Sequence, residues 1–340
     1  MAVQPSQAPL KRPTMADVAE RAGVSRTLVS TIFRGIPGAS AKTRERVMKA
    51  ADELGYRPDV AAQMLRRTRS RNLGVLFTSR HAFDLEFIEE LYPAAEKYGY
   101  HLVLGAMTAT RDEYKAVEEL LGYHSEALIL LGPDLDAKQL NALAASVPVI
   151  EVARVVKRAK IDVVRTDDES GVGQAVDHLV GFGHRRIIHI DGGHMPSATE
   201  RRTGYEKAMA SHGLADNVKV IPGDYTEESG AAAAAEILTW DDRPTAVIAG
   251  NDRCALGLLD TLRRGGVRVP EDISVVGYDD SRLARLSFVD LTSVRQDVRK
   301  MAELAVLAAS QRLDENRTET QSFVLEPTLT VRTSTGPAPA

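Results

Sequence analysis

The stretch TMADVAERAGVSRTLVSTIFRG, residues 14–35, decides the fold of the first part of the chain. Thr14 can cap a helix whose apolar residues fall on one face, and Gly23 can end that helix in a left-handed turn. Ser25 can cap a second helix, SRTLVSTIFRG. Two short helices joined by a tight glycine turn predict a helix-turn-helix, whose second helix enters the major groove of DNA.

The residues that follow predict a third helix and a basic connection. A helix is predicted after Ser40, and its apolar face would close a small core with the first two helices. Pro58 can start a further short helix, in which Leu65 precedes a run of arginines. We interpret residues 59–72 as a hinge helix and linker, with Leu65 as a wedge for the minor groove. A plain three-helix bundle followed by a solvated linker is the alternative from these residues alone.

The charge of the chain is unevenly distributed. Residues 1–72 contain 14 Lys and Arg against 6 Asp and Glu, although the whole chain has a net charge of -4. The first part is therefore basic and the remainder acidic, which favours a polyanion such as nucleic acid as the partner of the first part.

Composition excludes several classes of protein. Cys254 is the only cysteine, which excludes an intrachain disulfide and a zinc site built on paired thiolates. No apolar run approaches the roughly 20 residues of a membrane span. Residues 1–13 lack the apolar segment of a secretory signal, and we interpret them as a disordered extension. We therefore expect a cytoplasmic protein without a membrane partner, a metal or a cofactor.

From Leu73 onward, short apolar runs rich in β-forming residues alternate with helical stretches. This alternation predicts α/β architecture, with parallel sheets, crossover helices and enough strands for two lobes. The runs are LGVLF, HLVLG, ALILL, PVIEV, RIIHI, NVKVI, TAVIAG and ISVVGY.

Polar residues follow several of these predicted strands. Thr78 follows the first strand, Asn251 follows TAVIAG, and Asp279 follows ISVVGY. Ligands of open α/β sheets bind beyond the carboxyl ends of the strands, and two facing sheets can enclose one. Asn and Asp at these positions can bind hydroxyl groups, which favours a polyol site, although Asp252 and Asp280 fit helix caps equally well.

Motifs in both parts of the chain resemble one known family. ADVAERAGVS and SAKTRERVMKAADELGYRP resemble the DNA-binding headpiece of the lactose-repressor and galactose-repressor family. TDDESG, GHRRI, ERRTGYEKAM, GNDRCALG and VPEDISVVGYDD resemble segments of the same family's core. The resemblance implies a transcription regulator, with repression as the default output, whose affinity for operator DNA is controlled by a sugar-like effector. It also implies that the two-lobed core is similar to periplasmic binding proteins.

The resemblance implies roles for residues of the headpiece. Arg26 and Thr27 would recognise bases, Ser25 and Ser30 would hold phosphate or fix the helix, and Leu65 would enter the minor groove. The DNA-binding candidates are Thr14, Ser25, Arg26, Thr27, Ser30, Thr31, Arg34 and Leu65.

The chain also departs from the family pattern in the second helix. The family usually has threonine, arginine and asparagine where this chain has Leu28, Thr31 and Arg34. An arginine suited to recognising guanine is therefore missing, and we do not expect the common family operator to be the target.

The resemblance implies roles in the core as well. Arg201 would bind ligand oxygens through its guanidinium fork, and Asn251 and Asp279 would bind hydroxyls. Tyr225 would stack on a ring face, with an exposed surface aromatic as the alternative. Asp167 or Asp168 is a weaker candidate. The predicted effector site consists of Thr78, Asp168, Arg201, Tyr225, Asn251 and Asp279.

These expectations divide the chain into a headpiece, a hinge, a two-lobed core and two disordered ends. A single recognition helix contacts few base pairs, so we expect a homodimer on two half-sites, without a tetramer-forming heptad repeat at the C-terminus. The predicted parts are residues 1–13 (extension), 14–58 (headpiece), 59–72 (hinge), 73–165 with 293–323 (first lobe), 166–292 with 324–332 (second lobe) and 333–340 (disordered tail).

Two other functions fit parts of this sequence. An extracytoplasmic sugar-binding protein without a DNA role would share the core fold, but the missing signal sequence argues against it. An enzyme would need a base, a nucleophile and an orienting group at related positions, and no motif supplies them, so we expect no enzyme.

Overall fold

The computed structural model describes residues 13–34, 36–57, 69–108, 110–154 and 161–339. The chain divides into two compact units, Met1–Ser70 and Arg71–Ala340. Most of the predicted N-terminal extension and the predicted hinge helix with Leu65 lie outside the described residues. Within the described ranges, no helix is long and apolar enough to cross a membrane.

The described part of the first unit contains three helices, α1 (Met15–Ala22), α2 (Arg26–Phe33) and α3 (Ala41–Leu54). Thr14 and Asp17 form a reciprocal capping box at the start of α1, and Gly23 ends the helix with a φ of 62°. Ser25 Oγ accepts a hydrogen bond from the Leu28 N–H at 3.2 Å and caps α2. The predicted helix-turn-helix is confirmed, and its buried core consists of Val18, Ala19, Ala22, Val29, Ile32, Val47, Ala50, Ala51 and Tyr56.

The first lobe of the second unit is built on a parallel sheet of six strands. Its strands are β1 (Asn72–Thr78), β2 (His101–Met107), β3 (Ser125–Leu131), β4 (Val149–Val152), β5 (Ile161–Thr166) and β11 (Ser322–Leu325), in the order β11-β5-β4-β3-β1-β2. Its helices are α4 (Ala82–Lys97), α5 (Glu113–Gly122), α6 (Ala137–Ser146) and α11 (Val298–Asp314).

The second lobe has a six-stranded sheet of the same kind, with one antiparallel edge strand. Its strands are β6 (Ile187–Ile190), β7 (Val220–Ile221), β8 (Ala246–Ala249), β9 (Ser274–Asp279), β10 (Thr292–Arg295) and β12 (Thr328–Thr330), in the order β12-β10-β9-β8-β6-β7. Its helices are α7 (Asp168–Gly181), α8 (Ala198–Ser211), α9 (Glu227–Leu238) and α10 (Asp252–Arg264), with a short 3₁₀ helix at Ala215–Asn217.

Strand β3 shows why the predicted strands are continuous apolar runs. Ala127 and Ile129 pack into a cluster with residues of α4 and α11, whereas Leu128 and Leu130 pack with residues of α5 and α6. Alternate side chains of a strand point to opposite faces, and helices cover both faces of this sheet. The α/β prediction is confirmed for this reason.

The chain passes between the lobes at three connections, and two predicted boundaries need correction. Strand β10 stays paired with β9 as far as Arg295, so residues 293–295 belong to the second lobe. Strand β11 stays paired with β5 as far as Leu325, so residues 324 and 325 belong to the first lobe. In both cases the backbone pairing continues a few residues beyond the predicted crossing.

The prediction of a disordered tail is wrong for residues 333–339, which lie along the second lobe. Ser334 Oγ accepts a hydrogen bond from the Thr292 N–H at 2.8 Å and donates one to the Val275 carbonyl at 2.6 Å. The His184 imidazole donates through Nε2 to the Gly336 carbonyl at 2.9 Å. The tail therefore supplies partners to buried polar groups of the sheet, which a prediction from its proline content missed.

Candidate functional site

Helix α2 has one apolar and one polar face. Val29 and Ile32 are buried in the headpiece core, whereas Arg26, Thr27 and Arg34 are exposed. Within the described residues, Arg26 makes no hydrogen bond or ion pair. Its guanidinium, at the first position of the recognition helix, is therefore available to a partner outside the folded headpiece.

The other predicted DNA-binding residues that the structure describes take part in local bonds. Thr31 Oγ1 donates to the Thr27 carbonyl at 3.0 Å, and Arg34 Nε donates to the Ser30 carbonyl at 3.3 Å. The Thr14 hydroxyl donates to Asp17 Oδ2 at 2.7 Å within the capping box. These bonds hold the ends of α1 and α2 and leave Arg34 on the surface.

A cavity of about 310 Å³ lies between the two lobes, beyond the carboxyl ends of their strands. This is where ligands of doubly wound sheets bind. Its lining includes five of the predicted effector residues, namely Thr78, Arg201, Tyr225, Asn251 and Asp279. Asp168 does not line the cavity.

Arg201, on helix α8, is the best-anchored charged side chain of this cavity. Its Nε donates to Asp168 Oδ1 at 2.9 Å, one terminal nitrogen donates to the Gly250 carbonyl at 2.6 Å, and the other lies 3.6 Å from Asp279 Oδ1. The guanidinium carbon also lies 3.7 Å from the centroid of the Tyr278 ring. The fork is thus fixed in one position, while its terminal nitrogens keep N–H groups for a ligand. Asp168 orients Arg201 from behind.

Tyr225 is buried, so the alternative of an exposed surface aromatic is wrong. Its ring centroid lies 5.2 Å from the guanidinium carbon of Arg201. A Cβ atom on Gly192 or on Gly250 would approach the ring to 2.2 or 2.5 Å, so glycine is needed at both positions. Within the described residues the Tyr225 hydroxyl has no hydrogen-bond partner. A polar ligand in the cavity would supply one.

Asn251 follows β8, and Asp279 ends the neighbouring strand β9 of the second lobe. Asn251 Oδ1 accepts from the Cys254 N–H at 2.9 Å and caps α10, which leaves the amide NH₂ as its free donor. Asp279 Oδ1 accepts from Gln296 Nε2 at 2.8 Å. Burial raises the pKa of Asp279 to about 6, whereas Arg201 lowers it. At neutral pH its carboxylate is therefore an acceptor.

The neighbouring acids Asp252 and Asp280 have structural roles, because neither lines the cavity. Asp252 Oδ2 accepts from the Ser281 N–H at 2.7 Å, and its other oxygen accepts from a serine hydroxyl of β10. Asp280 forms an ion pair of 2.6 Å with Arg332. These buried contacts connect the ends of β9 and β10 to α10 and to the C-terminal segment.

Several cavity residues were missed by sequence reasoning. Gln296 lies on the connection after β10 and joins the lobes, because Thr166 donates to its Oε1 at 2.7 Å. His81 is the N-cap residue of α4 and Asp84 lies in its first turn, directly after β1, so their position beyond a strand end was a usable signal. The apolar lining residues Phe83, Met107, Leu131, Met195 and Pro196 carried no such signal.

Direct contacts between the lobes flank the cavity. On one side the Ser197 hydroxyl donates to the Ala153 carbonyl at 2.9 Å. On the other side the Arg282 N–H donates to Glu86 Oε1 at 2.8 Å, and the Arg253 guanidinium donates to the Arg80 carbonyl. The structure therefore shows the lobes in contact at both edges of the cleft.

Comparisons with known proteins agree with this architecture. Residues 14–59 match the model of "Bacterial regulatory proteins, lacI family", and residues 176–335 match the model of a "Periplasmic binding protein-like domain". The HTH-type transcriptional repressor PurR of Photobacterium profundum is 32% identical over 331 residues, which cover 94% of this chain and 98% of that protein.

Two solved structures are similar over nearly the whole chain. The complex of the transcriptional regulator CelR with cellobiose has a TM-score of 0.71 at 32% identity, covering 95% of this chain and 100% of the other. The lac repressor dimer bound to operator and the anti-inducer ONPF has a TM-score of 0.80 at 30% identity, covering 96% and 100%.

The helix-turn-helix unit and the two-lobed core with a cleft define a ligand-controlled DNA-binding regulator. The chain belongs to the LacI family of bacterial transcription regulators. The resemblance of its motifs to that family is thereby confirmed, and the alternative of a binding protein without a DNA role is set aside.

Proposed function

We propose that this regulator is a repressor that binds operator DNA as a homodimer and binds a neutral, hydroxyl-rich effector, a sugar or sugar derivative, between its lobes. The observation that carries the proposal is the fixed position of Arg201 at the cavity, with Asn251 and Asp279 beside it. Donors and an acceptor converge on one small space, and a hydroxyl group can serve both.

The charges around Arg201 favour a neutral effector. Arg201 lies within 2.9 Å of one carboxylate, that of Asp168, and within 3.6 Å of a second, that of Asp279. Its positive charge is therefore already balanced before a ligand binds. At Arg201 itself, an anionic ligand such as a sugar phosphate would find the positive charge already balanced and would meet the Asp279 carboxylate. Arg80, an exposed cation of the same cavity, makes no ion pair within the described residues, so the phosphates in the panel below test this point directly. The cellobiose bound by CelR is a ligand of the neutral kind.

The headpiece supports a role for Arg26 and Thr27 in recognising bases. Both residues are exposed at the N-terminal end of α2, the end that lies against base edges in helix-turn-helix complexes. Thr14, Ser25, Ser30, Thr31 and Arg34 would contact or position the DNA backbone around them. The lac repressor is a dimer on its operator, and we infer the same arrangement here, with two headpieces on two half-sites.

Effector and operator would be coupled through the lobes. A ligand that contacts both walls of the cavity alters the balance between closed and open lobes, and its effect equals its difference in affinity for the two states. Such couplings typically amount to about 1–3 kcal/mol. We infer that the protein acts in the cytoplasm on the nucleoid, and we expect it to bind its effector without converting it.

A thermal-shift comparison of neutral sugars with their phosphates tests the proposal. The panel pairs glucose with glucose 6-phosphate and ribose with ribose 5-phosphate, and adds cellobiose. At about 100 times its Kd a bound sugar adds roughly 2.7 kcal/mol of stability, so the melting midpoint rises. We expect the rise with a neutral member. A rise with the phosphates alone, or with no member of the panel, would overturn the effector class.

A further inference from the structure

The wall that the first lobe contributes to the cavity is mainly apolar, with one buried acid in it. Phe83, Met107 and Leu131 line this wall, and Asp84 lies among them. Only 6% of the Asp84 side chain is exposed, whereas Asp134, the other carboxyl on this side, is 93% exposed. Asp84 therefore differs from an exposed residue at the rim of the cavity, and a buried acid in an apolar wall requires a polar partner.

The two oxygens of Asp84 have different surroundings. Asp84 is the third residue of α4, and its Oδ2 accepts a hydrogen bond from the Thr78 N–H at 2.9 Å. Its Oδ1 lies 3.9 Å from His81 Nδ1, beyond hydrogen-bonding distance. Within the described residues Oδ1 makes no hydrogen bond. One oxygen is thus held by the backbone, and the other is left for a ligand.

The surroundings favour the protonated form of the Asp84 carboxyl at neutral pH. Burial raises the pKa of Asp84 to about 8, the Thr78 N–H lowers it, and the facing Asp279 carboxylate raises it. Because Oδ2 accepts from the backbone, the proton belongs on Oδ1. A neutral carboxyl can donate a hydrogen bond, which an ionised one cannot.

We propose that Asp84 is a further effector-binding residue, which donates a hydrogen bond from Oδ1 to an oxygen of the ligand and so links effector binding to a retained proton. The inference rests on the proposed function, because it assumes a hydroxyl-rich ligand in this cavity. It adds a polar contact from the first lobe opposite Arg201, Asn251 and Asp279 of the second. A ligand that is bound by both lobes stabilises the arrangement in which the lobes are closed around it.

The link predicts how affinity depends on pH. Effector binding requires the protonated form, so affinity is full well below the pKa of Asp84 and falls as pH rises through about 8. Between pH 7 and pH 9 this amounts to about a tenfold loss of affinity. Arg253 lies near His81. The charged and titratable groups that line the cavity with Asp84 are Arg80, His81, Asp134, His194, Arg201, Tyr225 and Asp279.

His81 and Asp279 do not change their charge in that range. Burial and Arg253 lower the pKa of His81 to about 4, so it stays neutral, and Asp279, with a pKa of about 6, stays ionised. Burial also raises the pKa of Asp252 to about 8, but Asp252 lies outside the cavity. Asp252 is present in both the wild type and a variant changed only at Asp84. Any contribution of its titration is therefore the same in the two pH profiles.

Asp84→Asn separates the donor role from a structural one. The asparagine oxygen can still accept from the Thr78 N–H, and its NH₂ group remains a donor that does not titrate. Binding of cellobiose, glucose and ribose to the full chain is measured by calorimetry at pH 7 and pH 9. We expect the wild type to lose about tenfold in affinity at pH 9, and Asp84→Asn to bind within about threefold of wild type at pH 7 and to keep that affinity at pH 9.

Two further variants complete the test. Asp84→Leu, which has no donor, should lose at least about tenfold at pH 7. Asp216→Asn, at an exposed position, should follow the wild-type profile. A wild-type affinity that is equal at pH 7 and pH 9, an Asp84→Asn profile that falls like the wild type, or full binding by Asp84→Leu would overturn the inference alone. If the wild type binds none of the sugars at pH 7, the proposed sugar effector fails and the inference falls with it.

Discussion

Arg201 donates a hydrogen bond from Nε to Asp168 Oδ1 over 2.9 Å, and both side chains are almost completely buried. The sequence predicted both residues as members of the effector site, but the structure gives them different positions. Arg201 lines the cavity, whereas Asp168 lies behind it and fixes the orientation of its fork. We therefore expect different results when each of them is changed.

Asp168→Asn should weaken sugar binding without abolishing it, because the amide oxygen can still accept from Arg201 but carries no charge. We expect a loss of about tenfold, the size of one weakened charged hydrogen bond. Arg201→Lys should reduce sugar affinity by more than Asp168→Asn does, since a lysine cannot reproduce the planar fork of the guanidinium. Calorimetry measures both, and operator binding without sugar should stay unchanged.

The matched control for this pair is Glu169→Gln, which lies next in sequence and pairs with Lys207 on the surface. It should bind sugar like the wild type, because exposed ion pairs contribute little. Equal losses in Asp168→Asn and Glu169→Gln would contradict the positioning role of Asp168.

Gly192→Ala should impair the effector site through Tyr225. The added Cβ would lie 2.2 Å from the Tyr225 ring, so the ring must move. Such overpacking typically costs about 1–3 kcal/mol of folding stability. We also expect sugar affinity to fall about tenfold or more, because the ring next to Arg201 is displaced.

The control for that substitution is Gly173→Ala on helix α7, where a Cβ would meet nothing within 4 Å. Alanine there should be neutral or stabilising by about 0.5–1 kcal/mol, since it favours the helix. Thermal melting and calorimetry compare the two variants. A Gly192→Ala protein with unchanged melting and sugar affinity would show that Tyr225 does not need this space.

Arg26→Ala should reduce discrimination between the operator and unrelated DNA. If Arg26 donates to a guanine through both terminal nitrogens, its loss costs about 1–3 kcal/mol of specific binding. Fluorescence anisotropy with an operator selected from genomic fragments, and with a scrambled duplex, measures the ratio. An unchanged ratio, with folding intact, would remove Arg26 from the base-contacting set.

Ser334→Ala should destabilise the core, although Ser334 lies in a segment that the sequence presents as a loose tail. The substitution leaves the Thr292 N–H and the Val275 carbonyl without their partner, which costs about 1–3 kcal/mol. Thr333→Ala, at the exposed neighbouring position, should stay within about 0.5 kcal/mol. Chemical denaturation gives both values, and equal effects would mean that the tail does not contribute to the fold.

The parts of the fold that local signals specify could be predicted from the sequence. Thr14, Ser25 and Gly23 cap and end helices through neighbours within five residues, so the headpiece follows from short-range chemistry. The strands β3 and β9 could be predicted because burial on both faces requires a continuous apolar run.

What could not be predicted depends on contacts distant in sequence. The C-terminal segment is ordered because Gly336 meets His184, 152 residues away, and nothing in STGPAPA encodes that partner. Asp84 lies in the first turn of a helix that follows a strand, a position where many acids are exposed, and its burial depends on tertiary packing. The same holds for Asp168, whose distance from the cavity is set by the packing of α7 against α8.

The most direct test of the account is the affinity of the full chain for its selected operator, measured by fluorescence anisotropy with and without a saturating neutral sugar that raises the melting midpoint. The account predicts that the sugar changes operator affinity by about 5- to 150-fold, the usual range for coupled sites. It further predicts that Arg201→Lys binds operator like the wild type and that its operator affinity does not change when the same sugar is added. A sugar that binds in the cleft and leaves operator affinity the same in the wild type would contradict the account.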